Sequence, residues 1–316
     1  MLLNFAILIA SAAVLARASV FLIEKLTVIA VKLKVSEYLV GFILMAIATS
    51  LPELVVGFLA ALSGNPTLSL GNVVGSNIAN MTLVLGLATL IAGGLRIQVQ
   101  VRNQEIFYMD LIALVPLVML IDGKLTRTEG LILLFFFALY IYNLITQSRE
   151  YHKAARDHRT KRSLIAELGL FVLGMLILLG SANFLVRSGE DLALGLGIPS
   201  ILIGVFIVAL ATSLPELSSS ITAARERKGA IVMGNILGST VTNSTLVLGI
   251  TALIHPITLE RPDILITSAV ALIVTLAAFT QFVRTGYRLS QIESLALVLG
   301  YTVYIIVTEL FYGATL

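Results

Sequence analysis

The chain has 316 residues, of which 58% are hydrophobic and only 12% charged, with a mean hydropathy of +1.01, whereas soluble domains carry about 25% charged residues. It contains no cysteine, which excludes disulfides, thiol catalysis and iron–sulfur clusters, and its three histidines, His152, His158 and His255, show no paired ligand spacing. The net charge of +3 requires no nucleic acid, because basic residues gather in the cytoplasmic loops of membrane proteins.

Apolar runs of about 20 residues, the length that crosses a hydrocarbon core as a helix, recur from end to end. In chain order the predicted spans are 3–31, 38–63, 69–93, 104–121, 128–147, 164–189, 199–224, 230–254, 264–283 and 290–313. The opening run 1–15 lacks the charged n-region of a secretory signal and reads as part of the first helix. Ten transmembrane helices thus form two groups of five, 1–147 and 164–316, joined by one long polar connection, 148–163. With that connection inside, fifteen of the 21 Lys and Arg residues take inside positions, Lys32, Arg96, Arg227 and Arg288 among them. Only Lys124, Arg127 and Arg261 fall outside, while Arg17, Lys25 and Arg187 lie within spans. This asymmetry predicts a multi-pass protein of the cytoplasmic membrane with both termini extracellular.

The two groups share an internal repeat at an offset of 163 residues, with 41–91 aligning on 204–254 without a gap and 23 of 51 positions identical. Ala48-Thr49-Ser50-Leu51-Pro52-Glu53-Leu54 returns as Ala211-Thr212-Ser213-Leu214-Pro215-Glu216-Leu217. Gly71-Asn72, Gly75-Ser76, Asn80 and Thr82-Leu83-Val84-Leu85-Gly86 return as Gly234-Asn235, Gly238-Ser239, Asn243 and Thr245-Leu246-Val247-Leu248-Gly249. Because each group holds an odd number of helices, the second copy must enter the membrane upside down. The predicted fold class is therefore an all-α membrane protein of two inverted-topology five-helix repeats, an arrangement typical of secondary transporters with a midplane site.

A glutamate deep in a membrane helix costs at least a few kcal/mol and is functional by default, and Glu53 and Glu216 occupy the same point of each copy. One embedded carboxylate could pair with Arg17 or Arg187; two, each after a proline, need another account. Pro52 and Pro215 each remove an amide donor and leave the carbonyl of Ala48 or Ala211 without its helical partner, so each helix must break or bend. Irregular backbone at membrane depth is tolerated where it lines a cavity. Thr49 and Ser50 precede Glu53 by one helical turn, as Thr212 and Ser213 precede Glu216. Ser76 with Asn80, and Ser239 with Asn243, are spaced i, i+4 on one face, and Gly71 with Gly75 and Gly234 with Gly238 permit close helix approach. The resulting ligand set is all oxygen and suits a hard cation, Ca2+ better than Mg2+. Glu24, Asp110 and Glu309 also lie in spans but lack repeated partners and read as structural or interfacial.

At these motifs the sequence resembles the cation/Ca2+ exchanger superfamily, and within it the prokaryotic sodium/calcium exchangers. The resemblance implies that Glu53 and Glu216, with the main-chain carbonyls of Thr49 and Thr212, bind Ca2+. It implies sodium sites that add Ser50, Ser76, Ser213, Ser239 and the carbonyls of Ala46 and Ala209, with Asn80 and Asn243 at the centre. Several members, the potassium-dependent branch included, carry Asp at the position of Asn243; the amide here argues against potassium co-transport. The implied activity is antiport of Na+ against Ca2+ by alternating access, the helices 3–31 and 164–189 sliding across the core, with no covalent reaction, no organic cofactor and no protein partner evident. Ca2+/H+ exchange is the alternative within the fold, disfavoured by the Thr-Ser pair before each Pro-Glu. A cation channel and an intramembrane enzyme follow; the latter lacks a His or Lys in the shared motif to activate a nucleophile.

Overall fold

The computed structural model describes residues 2–32, 45–96, 103–148, 163–197, 200–259, 261–284 and 287–312. The first half runs as α1 (Leu2–Lys32), α2 (Met45–Thr49), α3 (Leu51–Leu62), α4 (Pro66–Ala79), α5 (Leu85–Ala92), α6 (Asn103–Met119) and α7 (Arg127–Ser148). The second runs as α8 (Leu164–Leu196), α9 (Ser200–Ile203), α10 (Ala209–Thr212), α11 (Leu214–Arg225), α12 (Gly229–Thr242), α13 (Leu248–Ile254), α14 (Pro262–Arg284) and α15 (Gln291–Tyr312). Four two-residue strands depart from the purely helical expectation: β1 (Leu95–Arg96), β2 (Lys124–Leu125), β3 (Ile257–Thr258) and β4 (Arg288–Leu289).

Among the described residues eight helices are long and apolar enough to cross a membrane, and Leu51–Leu62 is a shorter apolar helix. The predicted span 38–63 is not one helix. From Met45 it divides at Ser50, between α2 and α3, where Pro52 enters the first turn of α3 without an amide to donate; its stretch 38–44 lies outside the described residues. The predicted span 199–224 divides in the same way at Ser213. The predicted span 104–121 is α6, which carries Pro116 within it and tightens into a 3-10 turn at Leu120–Asp122. The polar connection lies almost wholly outside the described residues.

A single π turn joins α4 to α5 at Asn80–Val84 and α12 to α13 at Asn243–Val247, and a third joins α9 to α10 at Gly204–Val208. All three lie within the aligned segments 41–91 and 204–254, and two begin at the repeated Asn80 and Asn243, in keeping with the frequency of π turns at functional positions. The helices that carry these turns form the interior: of an apolar 18-residue stretch, 78% is buried within Pro66–Ala92 and 83% within Gly229–Ile254, against 17% within Arg127–Thr146, which turns Leu131, Phe135 and Tyr142 outward as a lipid-facing helix does.

Close helix approach takes the route that the glycines suggested. A Cβ on Gly71 would strike the Ile201 carbonyl and one on Gly75 the Val205 carbonyl, so α4 packs backbone to backbone against α9 and its π turn, the small-residue packing usual inside a bilayer. For Gly234 and Gly238 the corresponding segment of the first copy lies largely outside the described residues. Two antiparallel ribbons join the halves: Leu95 pairs with Leu289 and Arg96 with Arg288, and Lys124 pairs with Thr258 and Leu125 with Ile257.

The apolar interior has two parts. The larger gathers Ile78, Met81, Leu85, Val232, Met233, Ile236, Leu272 and Phe279 from both copies and the outer helices. The smaller lies where α1 and α8 pack on α3, α10 and the π turn before α10, through Leu15, Leu22, Leu178, Leu185, Val56, Ala211 and Val208. Within the α1–α8 pair the serines are satisfied by their own helices, Ser19 Oγ donating to the Leu15 carbonyl at 2.9 Å and Ser181 Oγ to the Leu178 carbonyl at 3.0 Å. Polar links between the two helices sit at their ends: Asn4 Nδ2 donates to Asp191 Oδ2 at 3.3 Å, and Lys25 Nζ lies 3.8 Å from the buried Glu167 Oε2.

Candidate functional site

Both glutamates enter the first turn of a helix that starts at a break. Ser50 (φ −82°, ψ 4°) and Ser213 (φ −81°, ψ −1°) leave regular helical geometry, and helix resumes with Leu54 N–H donating to the Ser50 carbonyl and Leu217 N–H to the Ser213 carbonyl, each at 3.0 Å. Glu53 and Glu216 therefore sit at the N-terminal, electropositive ends of α3 and α11. Both are 0% exposed, and neither has an ion pair among the described residues, with Arg17 or Arg187 or any other base. Two carboxylates without a base in a low-dielectric interior must take either a cation or a proton from outside the chain.

The hydroxyl groups do not all converge on the nearest carboxylate as their spacing suggested. Thr49 Oγ1, 0% exposed, donates to Asn235 Oδ1 at 3.0 Å and lies 3.0 Å from Ser239 Oγ, both on α12 of the other copy. Thr212 Oγ1 makes the matching contacts to Asn72 Oδ1 at 3.0 Å and Ser76 Oγ at 3.3 Å on α4. Each broken helix is thus latched to the following helix of the opposite copy. The carboxylates cross in the same sense, Glu53 lying beside Thr212 and Ser76 and Glu216 beside Thr49 and Ser239. Of these contacts only Ser239 Oγ to Glu216 Oε1, at 3.5 Å, meets hydrogen-bond geometry, and both oxygens of Glu53 lack a partner.

The remaining predicted residues divide into free and engaged oxygens. Ser50 Oγ and Ser213 Oγ are buried without partners, as are both amide atoms of Asn80 and Oδ1 of Asn243. The Ala209 carbonyl is already engaged, accepting from Ser213 N at 3.0 Å, Thr212 Oγ1 at 3.3 Å and, weakly, Ser76 Oγ at 3.5 Å. Ala46 lies on α2. Buried oxygens left unpaired in such number are unusual in a folded interior and give a cation a ready shell of hard ligands.

Three pairs of residues in this cluster escaped the reading of the sequence. Asn72 and Asn235 stand in the repeated Gly-Asn pair, a signal that was present but did not distinguish a latch from a packing motif. Ser219 and Ser220 bond the Asn235 amide, at 3.1 and 3.0 Å. Asn77 and Ser244 bond each other at 2.9 Å. The last two pairs are not repeated, so a search for identities between the copies passes over them.

The family model for the sodium/calcium exchanger protein matches residues 3–146 and 166–308. The sodium/calcium exchanger MaX1 of Methanosarcina acetivorans is 28% identical over 351 aligned positions that cover 98% of this chain and 99% of the relative. Inner membrane protein YrbG of Escherichia coli K12 is 33% identical over 228 positions, 69% of this chain and 70% of YrbG. A solved structure of the sodium-calcium exchanger NCX_Mj, soaked with Na+ and Ca2+, superposes with a TM-score of 0.68 at 26% identity, covering 97% of this chain and 98% of that one.

Proposed function

This chain belongs to the sodium/calcium exchanger protein family, and from that premise we propose that it is a secondary antiporter exchanging Na+ for Ca2+ across the cytoplasmic membrane. The observation that carries the reading is the pair of fully buried, base-free glutamates at matching helix breaks. Their combined charge of −2 balances one Ca2+, and it also balances two Na+. Three Na+ leave an excess of +1, so the middle position around Asn80 and Asn243 is the weak point for Na+, served by neutral amide oxygens or water. In this reading the ligands are Glu53, Glu216, Ser50, Ser213, Ser76, Ser239, Asn80 and Asn243, with the carbonyls of Thr49, Thr212, Ala46 and Ala209. The engagement of the Thr49 and Thr212 hydroxyls by Asn235, Ser239, Asn72 and Ser76 supports the use of their carbonyls instead.

The architecture we propose is ten spans in two inverted repeats, 1–147 and 164–316, around a midplane site, with both termini extracellular. The ribbons support it. β1 and β4 lie in two loops assigned to the inside by their charges, β2 and β3 in two assigned to the outside, and each pairs within its own side. Gly229, beside the basic Arg227 and Lys228, abuts the Arg96 carbonyl, which adds to the positive end. Alternating access follows if α1 and α8 move over the rest. Reconstitution into vesicles tests the whole: an outward Na+ gradient should drive uptake of radiolabelled Ca2+, and a proton gradient should not. Uptake driven by protons alone would move the assignment to Ca2+/H+ exchange, and gradient-independent leak to a channel. Cysteines at Ala155 and Leu316 of this cysteine-free chain should label from opposite faces; labelling from one face would overturn the topology.

A further inference from the structure

Asn243 and Asn80 are repeat mates, yet their surroundings differ. Asn243 Nδ2 donates to Asn77 Oδ1 at 3.3 Å, and Asn77 Nδ2 donates onward to Ser244 Oγ at 2.9 Å. All three side chains are buried, and the only atom of the Asn243 amide left without a partner is its oxygen, Oδ1. On the other side the positions corresponding to Asn77 and Ser244 hold Thr240 and Met81. Thr240 Oγ1 has no partner, and neither amide atom of Asn80 is engaged.

We propose that Asn77 is a positioning residue that fixes which way the Asn243 amide faces, committing its nitrogen and leaving its oxygen for Na+ at the middle position. The proposal rests on the Na+/Ca2+ reading above. An asparagine beside a cation must present oxygen; presenting NH2 would put partial positive charge against the ion. A free amide pays nothing extra to turn over, since its two ends are nearly the same size. The relay has two possible polarities, because a serine hydroxyl either donates or accepts. Only the polarity found here, running from Asn243 through Asn77 to Ser244, leaves an oxygen free. A bound Na+ requires the polarity found here, in which the nitrogen is already committed to Asn77 and the oxygen is the free end. Asn80, without such a relay, turns freely and serves as the adaptable ligand opposite.

Ca2+ should be indifferent to this device, because its charge is met by Glu53 and Glu216. The test is exchange in vesicles, reading the Na+ concentration for half-maximal Ca2+ release and, separately, the Ca2+ concentration for half-maximal Ca2+/Ca2+ exchange. Asn77→Leu should raise the Na+ value about fivefold, the worth of one neutral hydrogen bond, with the Ca2+ value unchanged. Asn77→Asp, which still accepts from Asn243 Nδ2, should keep the Na+ value at or below that of the parent, and Thr240→Val should alter neither. If Asn77→Leu fails to fold, Ser244→Ala takes its place, since it releases the far end of the relay and should raise the Na+ value alone. An unchanged Na+ value, or equal shifts for both ions, overturns the proposal. A parent protein that shows Ca2+/Ca2+ exchange but no Na+-driven release overturns the Na+ reading itself, whatever the variants do.

Discussion

The two halves build the same skeleton around Glu53 and Glu216 but support it unequally. In the second half Asn235 Nδ2 is held by Ser219 Oγ, Ser220 Oγ and, more loosely, the Glu216 carbonyl at 3.4 Å, and Glu216 itself receives Ser239. In the first half Val56 and Gly57 stand where Ser219 and Ser220 would be, and Asn72 Nδ2 and both Glu53 oxygens have no partner. The repeat supplies the proposed ligands twice, and only the second set is braced in this way. A braced carboxylate is organised before the ion binds, whereas a bare one is satisfied only by the ion, so the Glu53 side should be where binding reorganises the site most.

Removing either charge is the harshest way to test that comparison. Glu53→Gln and Glu216→Gln should each cut Ca2+ transport at least about a hundredfold in vesicles, because a lone carboxylate cannot balance a divalent ion in an apolar interior; retained uptake in either would end the two-carboxylate site. The brace itself is probed by stability. Asn235→Leu strands Ser220 Oγ and removes a partner of Thr49, and should cost about 2 kcal/mol in a detergent unfolding curve, against about 1 kcal/mol for Asn72→Leu. Equal losses would show that the unequal bonding carries no energy.

Copying the brace into the first half is blocked by packing. A Cβ on Gly57 would come within 2.7 Å of Ser69 Oγ and 3.0 Å of Val247 Cγ1, where Ser69 and Thr251 already share a 2.8 Å hydrogen bond. Gly57→Ala should therefore destabilise by about 1 kcal/mol or more through overpacking, and a neutral result would show that α3 has room to move there. The smallest expected effect is on selectivity. Asn243→Asp adds a third carboxylate and removes the donor to Asn77, and should give transport a pH or K+ dependence absent from the parent, on the order of a few-fold. Unchanged profiles would show that this side chain does not face the ions.

Much of this was legible in the residues. The span pattern follows from hydropathy, and the breaks at Ser50 and Ser213 follow from Pro52 and Pro215, whose missing amides act locally. The burial of both glutamates follows from their depth in apolar runs. The destination of the Thr49 and Thr212 hydroxyls was not legible, because it depends on contacts about 140 to 190 residues distant. Nor were the π turns at Asn80 and Asn243, which carry no side-chain signature. The brace and the relay escaped for a different reason: repeat reasoning rewards what the copies share, and Ser219, Ser220, Asn77 and Ser244 matter because the copies differ there.

The end-placed links between α1 and α8 have a mechanical consequence. Two antiparallel rods pinned near both ends, by Asn4 to Asp191 and by Lys25 to Glu167, resist shear against one another and behave as one stiff beam. The ribbons staple the two halves at either end, and neither α1 nor α8 contributes a strand to them. Between beam and frame lies the smaller apolar cluster, where each atom pair contributes only about 0.1–0.2 kcal/mol. In the alternating-access reading proposed above, travel of the beam along its own length is the direction that would leave both the latches around the glutamates and the two staples intact.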